Sequence, residues 1–452
     1  MKRKIVALSA LLAVIIVSCS KEDTIVQPPA ESPDVAIENL LAETAVAQED
    51  TLYFKAKVSE GTTYSWSVDG KESGITDSVF KFVSSDLGAH SISLVASRQD
   101  KQASAQTAVT VYGKYKYGTF ILNEGNMTSE NGSLIFISPK GKVTDSAYFR
   151  ANGSFLGNVT QDMFIQNGKI YIISQNGKTN AVGAGFENDG MLVVANAETL
   201  KKEAAYNDEL SVLEWPTHVA VLNEQNVILR DNAGLYRFNT ATKALTFIKG
   251  SQFADKLTMA VSNNKVFAAA GTKVYVVEAD KDTISYGIDM KASVTGVVKA
   301  NDGHIWISTT GSPNKISKIN YRNYSLIKAN DITTGSLSAG WGATPGITAK
   351  GDTLYFSGAG TKIYRHIFSI NTTEFLVDAK TMVENAGIVY NNIAVHPLTG
   401  EVYLNTIKGY GWDFLINNIS VFNFSSKTPK LSANYQDYTH FPAGIFFTYN
   451  FD

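Results

Sequence analysis

The sequence predicts an all-β protein in which a small β-sandwich precedes a seven-bladed β-propeller, closed by strands from the two ends of the propeller segment. Three observations carry that expectation. A two-strand unit recurs at a spacing typical of propeller blades. The first and last strands of the repeat region are complementary halves of one more unit. The stretch before the repeats alternates apolar and polar residues between turn signals.

The clearest repeat lies at residues 390–406. Ile393, Ala394 and Val395 form a short apolar strand, Pro397 to Gly400 a turn, and Glu401 to Asn405 a second strand. Pro and Gly reverse the chain, and the β-branched and aromatic flanks suit a pleated surface. The unit recurs at 162–174, 217–229, 257–269, 294–308 and 345–357. Its second strands begin at Ile170, Val227, Val266, Ile305, Leu354 and Val402, with separations of 57, 39, 39, 49 and 48 residues. Short strands at a period near 40 to 50 mark propeller blades, each a sheet that must stack on its neighbours. A solenoid is the alternative for such a period, but helical and leucine-rich repeats are lacking. Residues 441–449 read as an inner strand with no partner after it, and 118–123 as a second strand with no partner before it. Ile121 precedes Ile170 by 49 residues, one further period. Pairing the two removes two exposed edges and makes the seventh blade; without it the count is six.

Taken in order, residues 1–18 read as a lipoprotein signal peptide. Lys2, Arg3 and Lys4 precede an apolar run from Ile5 to Val17, too short and too early for a membrane span. Ile16-Val17-Ser18-Cys19 resembles a bacterial lipobox, which implies lipidation at Cys19. Cys19 is the single cysteine, so an internal disulfide is excluded. Ser20-Lys21-Glu22-Asp23 resembles the acidic tag that directs lipoproteins of Bacteroidota to the outer face of the outer membrane. Residues 19–34, with Pro28, Pro29 and little to bury, form a lipidated tether. Of 40 Lys and Arg, three leave with the leader, so 37 face 42 Asp and Glu, a net −5 that argues against a nucleic-acid partner.

Residues 35–113 read as the sandwich: residues 51–58 alternate, 64–68 run into an Asp69-Gly70 turn, and 91–96 alternate again. The run Y-S-W-S-V-D-G-K from Tyr64, followed by D-L-G-A-H-S-I-S-L-V-A, resembles the PKD domain, an immunoglobulin-like module. That resemblance implies a spacer, with Trp66 as a core residue between sheets.

Residues 114–452 are the propeller. The opening I-L-N-E-G-N from Ile121, N-G-S-L from Asn131, and A-V-H-P-L-T-G-E-V-Y from Ala394 resemble the YncE-like and BtuG-like propeller lipoproteins of Bacteroidota. That group includes a surface protein that captures cobalamin above a TonB-dependent transporter. The resemblance runs from Gly118 to the C-terminus and implies a surface-exposed, outer-membrane, lipid-anchored protein. The ligand it implies is cobalamin or another corrinoid, handed to a TonB-dependent transporter. Its motifs lie on strands and turns and transfer no ligand-contacting residue.

In such a fold the first-to-second-strand turns share one face. Here they are short and polar (Asn167-Gly168, Asn263-Asn264, Asp302-Gly303) and read as tight turns. The loops of the other face are aromatic. By position they offer Trp215, His218, Arg230, Trp341, Tyr390, Tyr410, Trp412, Tyr438 and His440 as ligand-binding residues. Aromatic faces with a few polar groups at one mouth suit a large, flat, partly polar ligand.

An enzyme is not expected. The six histidines show no close ligand pair, so no metal site and no cofactor is expected, although His218 and His440 lie where they would meet near the axis. There is no G-x-S-x-G, and the sole cysteine is assigned to lipid. A lyase or hydrolase would have to use mouth carboxylates such as Asp162, Glu214, Asp231 or Asp413. The nearer alternative is an adhesion module for glycan or protein.

Overall fold

The computed structural model describes residues 31–338 and 346–449. The leader, Cys19, the tether up to residue 30, and Trp341 lie outside the described residues. Two compact units divide between Val111 and Tyr112.

The first unit is two facing antiparallel sheets. Val35–Asn39, Leu52–Val58 and Val79–Phe82 form one; Ala45–Ala47, Lys101–Tyr112, Gly88–Arg98, Thr63–Val68 and Lys71–Glu72 form the other. Leu52, Phe54 and Ala56 alternate with exposed Tyr53, Lys55 and Lys57, the period-two pattern of a half-buried strand. Trp66 is fully buried between the sheets as expected, stacked on Phe80 at 5.3 Å, with its indole N–H donated to the Asp77 carbonyl at 3.0 Å.

Among the described residues the second unit contains seven four-stranded antiparallel sheets. The first combines Thr119–Asn123, Ser133–Ile137 and Val143–Thr144 with the C-terminal strand Pro442–Phe447. The other six follow the chain at 158–206, 218–247, 260–289, 294–332, 348–378 and 388–436. Strand periodicity explains how they stack. In Thr119–Asn123, Phe120 and Leu122 pack toward the second sheet while Ile121 packs toward the seventh. In Val402–Ile407, Val402 and Leu404 face the sixth sheet and Tyr403 the first. Each such strand is buried on both faces, which is why it reads as a near-continuous apolar run. One apolar cluster fills the space between every two neighbouring sheets, and the cluster between seventh and first completes the circuit.

The two ends meet as the sequence implies, in a shorter pairing. Pro442 lies opposite Asn123, Ile445 opposite Ile121, and Phe447 opposite Thr119. Beyond the strand, Thr448 N–H donates to the Gly118 carbonyl at 3.1 Å and Gly118 N–H to Thr448 Oγ1 at 2.9 Å. The architecture is all-β and β-propeller-like.

Candidate functional site

Irregularities in the inner strands bring polar groups together at the end of the sheets where the aromatic loops lie. The ladder between Asn158–Gln166 and its neighbour skips between Thr160 and Asp162, a bulge at Gln161. The seventh sheet's inner strand, Ile388–Val395, loses register between Val389 and Ile393, which frees Tyr390 from regular pairing. Past the first sheet, Glu124 N–H donates to the Phe441 carbonyl at 2.8 Å, continuing the closing pairing into the loop.

These three residues meet. Tyr390 donates its hydroxyl to Glu124 Oε2 at 3.2 Å, and the Gln161 side chain also hydrogen-bonds Glu124. Gln161 is buried, yet its Oε1 has no partner. Burial pushes the Glu124 carboxyl up to about 7, against the opposing pull of Lys256 and of the bonds from Gln161 and Tyr390. Burial likewise lowers the pKa of Lys256, with Glu124 resisting and Arg230 adding repulsion. The Tyr390 phenol is raised, first by burial and then by Glu124. An electrostatically coupled carboxyl and ammonium beside an unpartnered amide oxygen can hold a ligand that both donates and accepts hydrogen bonds.

Six of the nine expected binding residues fall into three groups. Tyr390 belongs to the Glu124 cluster. Trp215 on a loop, and Tyr410 and Trp412 at the start of the short 3-10 helix Gly411–Leu415, are exposed, Trp412 to 85%. Tyr438 and His440 line an off-axis cavity, with His440 Nδ1 at 2.9 Å from Glu130 Oε2.

His218 and Arg230 are placed differently from the expectation of open mouth residues. They are opposite partners at the ends of the strands His218–Asn223 and Asn226–Arg230. His218 is fully buried, with Nδ1 at 3.2 Å from Asp162 Oδ2. Arg230 is nearly buried; its Nε and Nη2 each donate to the Ala254 carbonyl at 3.2 Å, and Nη1 to Thr217 Oγ1 at 3.1 Å. His218 ties the third sheet to the second, and Arg230 holds the segment that follows the third sheet. His218 and His440 have separate carboxylate partners, and no group of three metal-ligating side chains occurs among the described residues.

Sequence reasoning did not single out Glu124, Gln161 or Lys256. It also read the opposite face as turns alone. There a cavity of about 510 Å³ is lined by inner-strand residues including Ile165, Val261, Val298, Ala349, Val395 and Phe447. Its walls are mainly aliphatic, with Asp162 and Lys299 the charged groups.

No helix among the described residues is long and apolar enough to cross a membrane. No curated protein matches the sequence. Among solved structures, a quinonprotein alcohol dehydrogenase-like protein from Bacteroides thetaiotaomicron VPI-5482 is similar, with 18% identity and a TM-score of 0.52 over 93% of this chain and 100% of that one. That likeness is one of fold. More distant are the computationally designed Ika8 protein, at 12% identity and TM-score 0.42 over 71% of this chain and 90% of that one. A protein of unknown function from Bacteroides caccae matches at 12% identity and TM-score 0.32, over 45% of this chain and 69% of that one. The model of DUF5074, a domain of unknown function, matches residues 117–448, most of the chain and nearly all of the second unit, and the chain belongs to that family.

Proposed function

We propose that this chain is a lipid-anchored protein of the outer-membrane surface, with a PKD-like spacer and a seven-bladed propeller that binds a ligand at its aromatic mouth without catalysis. The observation that supports a mouth site best is the convergence of Glu124, Gln161, Lys256 and Tyr390, with the Gln161 oxygen buried and unpartnered. Exposed Trp215, Tyr410 and Trp412 at the same end add aromatic faces. The ligand class is cobalamin or a related corrinoid, for hand-over to a TonB-dependent transporter. The class rests on the resemblance of the Ile121 and Ala394 motifs; a corrinoid's peripheral carboxamides, donors and acceptors both, suit the mixed polarity of the Glu124 cluster.

Isothermal titration of the chain from Ser20 onward with cyanocobalamin tests the reading. Saturable heat that is lost in a Trp215→Ala, Trp412→Ala double variant supports both ligand and face. Heat retained in that variant but lost in Glu124→Ala confines the site to the cluster. No heat at tens of micromolar sinks the corrinoid assignment. A glycan- or protein-binding module is the second reading, favoured by the 85% exposure of Trp412; a glycan array in which Trp412→Ala loses signal would establish it.

A further inference from the structure

A second cavity, of about 700 Å³, lies off the axis, bordered by residues of the first two sheets' loops and of the helix Ala147–Asn152. Its walls are aromatic. Phe149 and Phe155 stack at 4.6 Å with 26° between planes, yet remain 40% and 45% exposed. Phe186 and Tyr438 add two more rings.

The stacked pair is held from beneath. Tyr148, buried beside Phe149, donates its hydroxyl to Asp189 Oδ2 at 2.6 Å, and Ser154 Oγ donates to the same oxygen at 2.6 Å. Asp189 N–H in turn donates to the Phe155 carbonyl at 2.9 Å. Asp189 thus fixes both segments that carry the rings, so the exposed faces are presented by a rigid base.

The polar part of the lining has one sign. Glu130, Asp145, Glu187 and Asp437 contribute carboxylates, and the only basic side chain in the lining is His440, engaged with Glu130 at 2.9 Å. Asp145, Glu187 and Asp437 have no ion pair among the described residues. Arg150, the nearest arginine in sequence, turns its Nε to the Asp145 carbonyl at 2.7 Å. The Asn131 amide is used on both atoms, donating to the Glu187 carbonyl and accepting from Asn188, each at 3.0 Å. Asp437 Oδ1 accepts from the Asn417 N–H at 3.1 Å and Asp145 Oδ1 from the Ser146 hydroxyl at 3.3 Å, neither of which neutralises the carboxylate. The cavity therefore offers ring faces and negative charge, and its amide and imidazole donors are already engaged.

We propose that this cavity is a binding site for an organic cation, an ammonium group carried on an apolar body. Ring faces attract a cation through their quadrupole, and they do so more strongly where water is partly displaced. Carboxylates without counter-ions add Coulombic attraction and repel anions. The apolar body covers the exposed Phe149 and Phe155 faces. The site is separate from the Glu124 cluster and independent of the corrinoid reading.

The test titrates the chain from Ser20 onward with choline and with benzyltrimethylammonium, beside the neutral isostere of choline in which carbon replaces nitrogen. The expected result is saturable binding of a cation at least about tenfold tighter than the neutral isostere. Phe155→Ala and Glu187→Gln, both at exposed positions and checked for unchanged thermal unfolding, should each weaken it several-fold. The cation affinity should also fall with added salt. Equal affinity for cation and isostere overturns the proposal. So does the absence of binding by both cations at about 10 mM, a concentration that would reveal even a millimolar site, and so does cation binding that neither variant changes.

Discussion

Glu124 gives the sharpest quantitative expectation. Burial raises its carboxyl from the ordinary value of 4.5 to about 7. The folded protein therefore holds this proton more tightly than the unfolded chain does. The linked stabilisation is complete below about pH 4.5 and is lost as pH rises through about 7. A displacement of that size corresponds to about 3 kcal/mol at most. Glu124 is only partly shielded from solvent, which trims the effect to about 1–2 kcal/mol. Glu124→Gln mimics the protonated form at every pH, keeping a group that accepts from Tyr390. The stability difference between variant and wild type, from urea unfolding followed by circular dichroism, should be flat below about pH 4.5. Between about pH 5 and 8 the variant should gain those 1–2 kcal/mol on the wild type. Titrations of groups that do not interact with Glu124 are common to both proteins and cancel; Lys256 and Tyr390, which do interact with it, are the exceptions. A pH-independent difference would refute the reasoning. A wild type that gains on the variant as pH rises would show that Lys256, Gln161 and Tyr390 together outweigh burial.

His366 carries the opposite sign. It is fully buried, with Nε2 at 2.9 Å from Asn330 Nδ2 and Nδ1 at 2.8 Å from Thr373 Oγ1, and burial lowers it to about 4. Its stabilisation is present above about pH 6.5 and lost as pH falls through about 4, by up to about 3 kcal/mol; His366→Gln, measured by thermal unfolding against pH, should remove that loss and leave Glu124's intact. Gly132→Ala should be severe, because its Cβ would lie 1.8 Å from Thr160 Oγ1 beside the Gln161 bulge. At least about 2 kcal/mol is expected, whereas Gly185→Ala, with nothing within 4 Å, should stay within about 0.5 kcal/mol in the same assay.

The repeat was legible because the strands that carry it are buried on both faces, and dense apolar runs survive any surface variation. Closure was legible for a related reason: an inner strand without a partner and a second strand without one are each incomplete alone. The polar residues within those same runs were not legible. In a strand buried on both sides, alternation assigns a residue to one neighbouring sheet or the other, never to solvent. His218 was therefore always going to be enclosed, and it meets Asp162 of the preceding sheet. Where the ladder breaks, as at Gln161 and Tyr390, a polar residue meets the Glu124 carboxyl. Inner strands of two other sheets break in the same way, between Val294 and Gly296 and between Pro442 and Gly444, but nothing local in Asn391-Asn392 or Val159-Thr160 announces the breaks. What fixes them is pairing across the closed circuit: Tyr390 reaches a carboxylate 266 residues earlier in the chain. Glu124 in turn follows directly on the strand that receives the C-terminal one. The same pairing that removes the open edge thus sets the position of the Glu124 cluster. Loss of the strand Pro442–Phe447 would disperse that cluster together with the apolar packing between the first and seventh sheets.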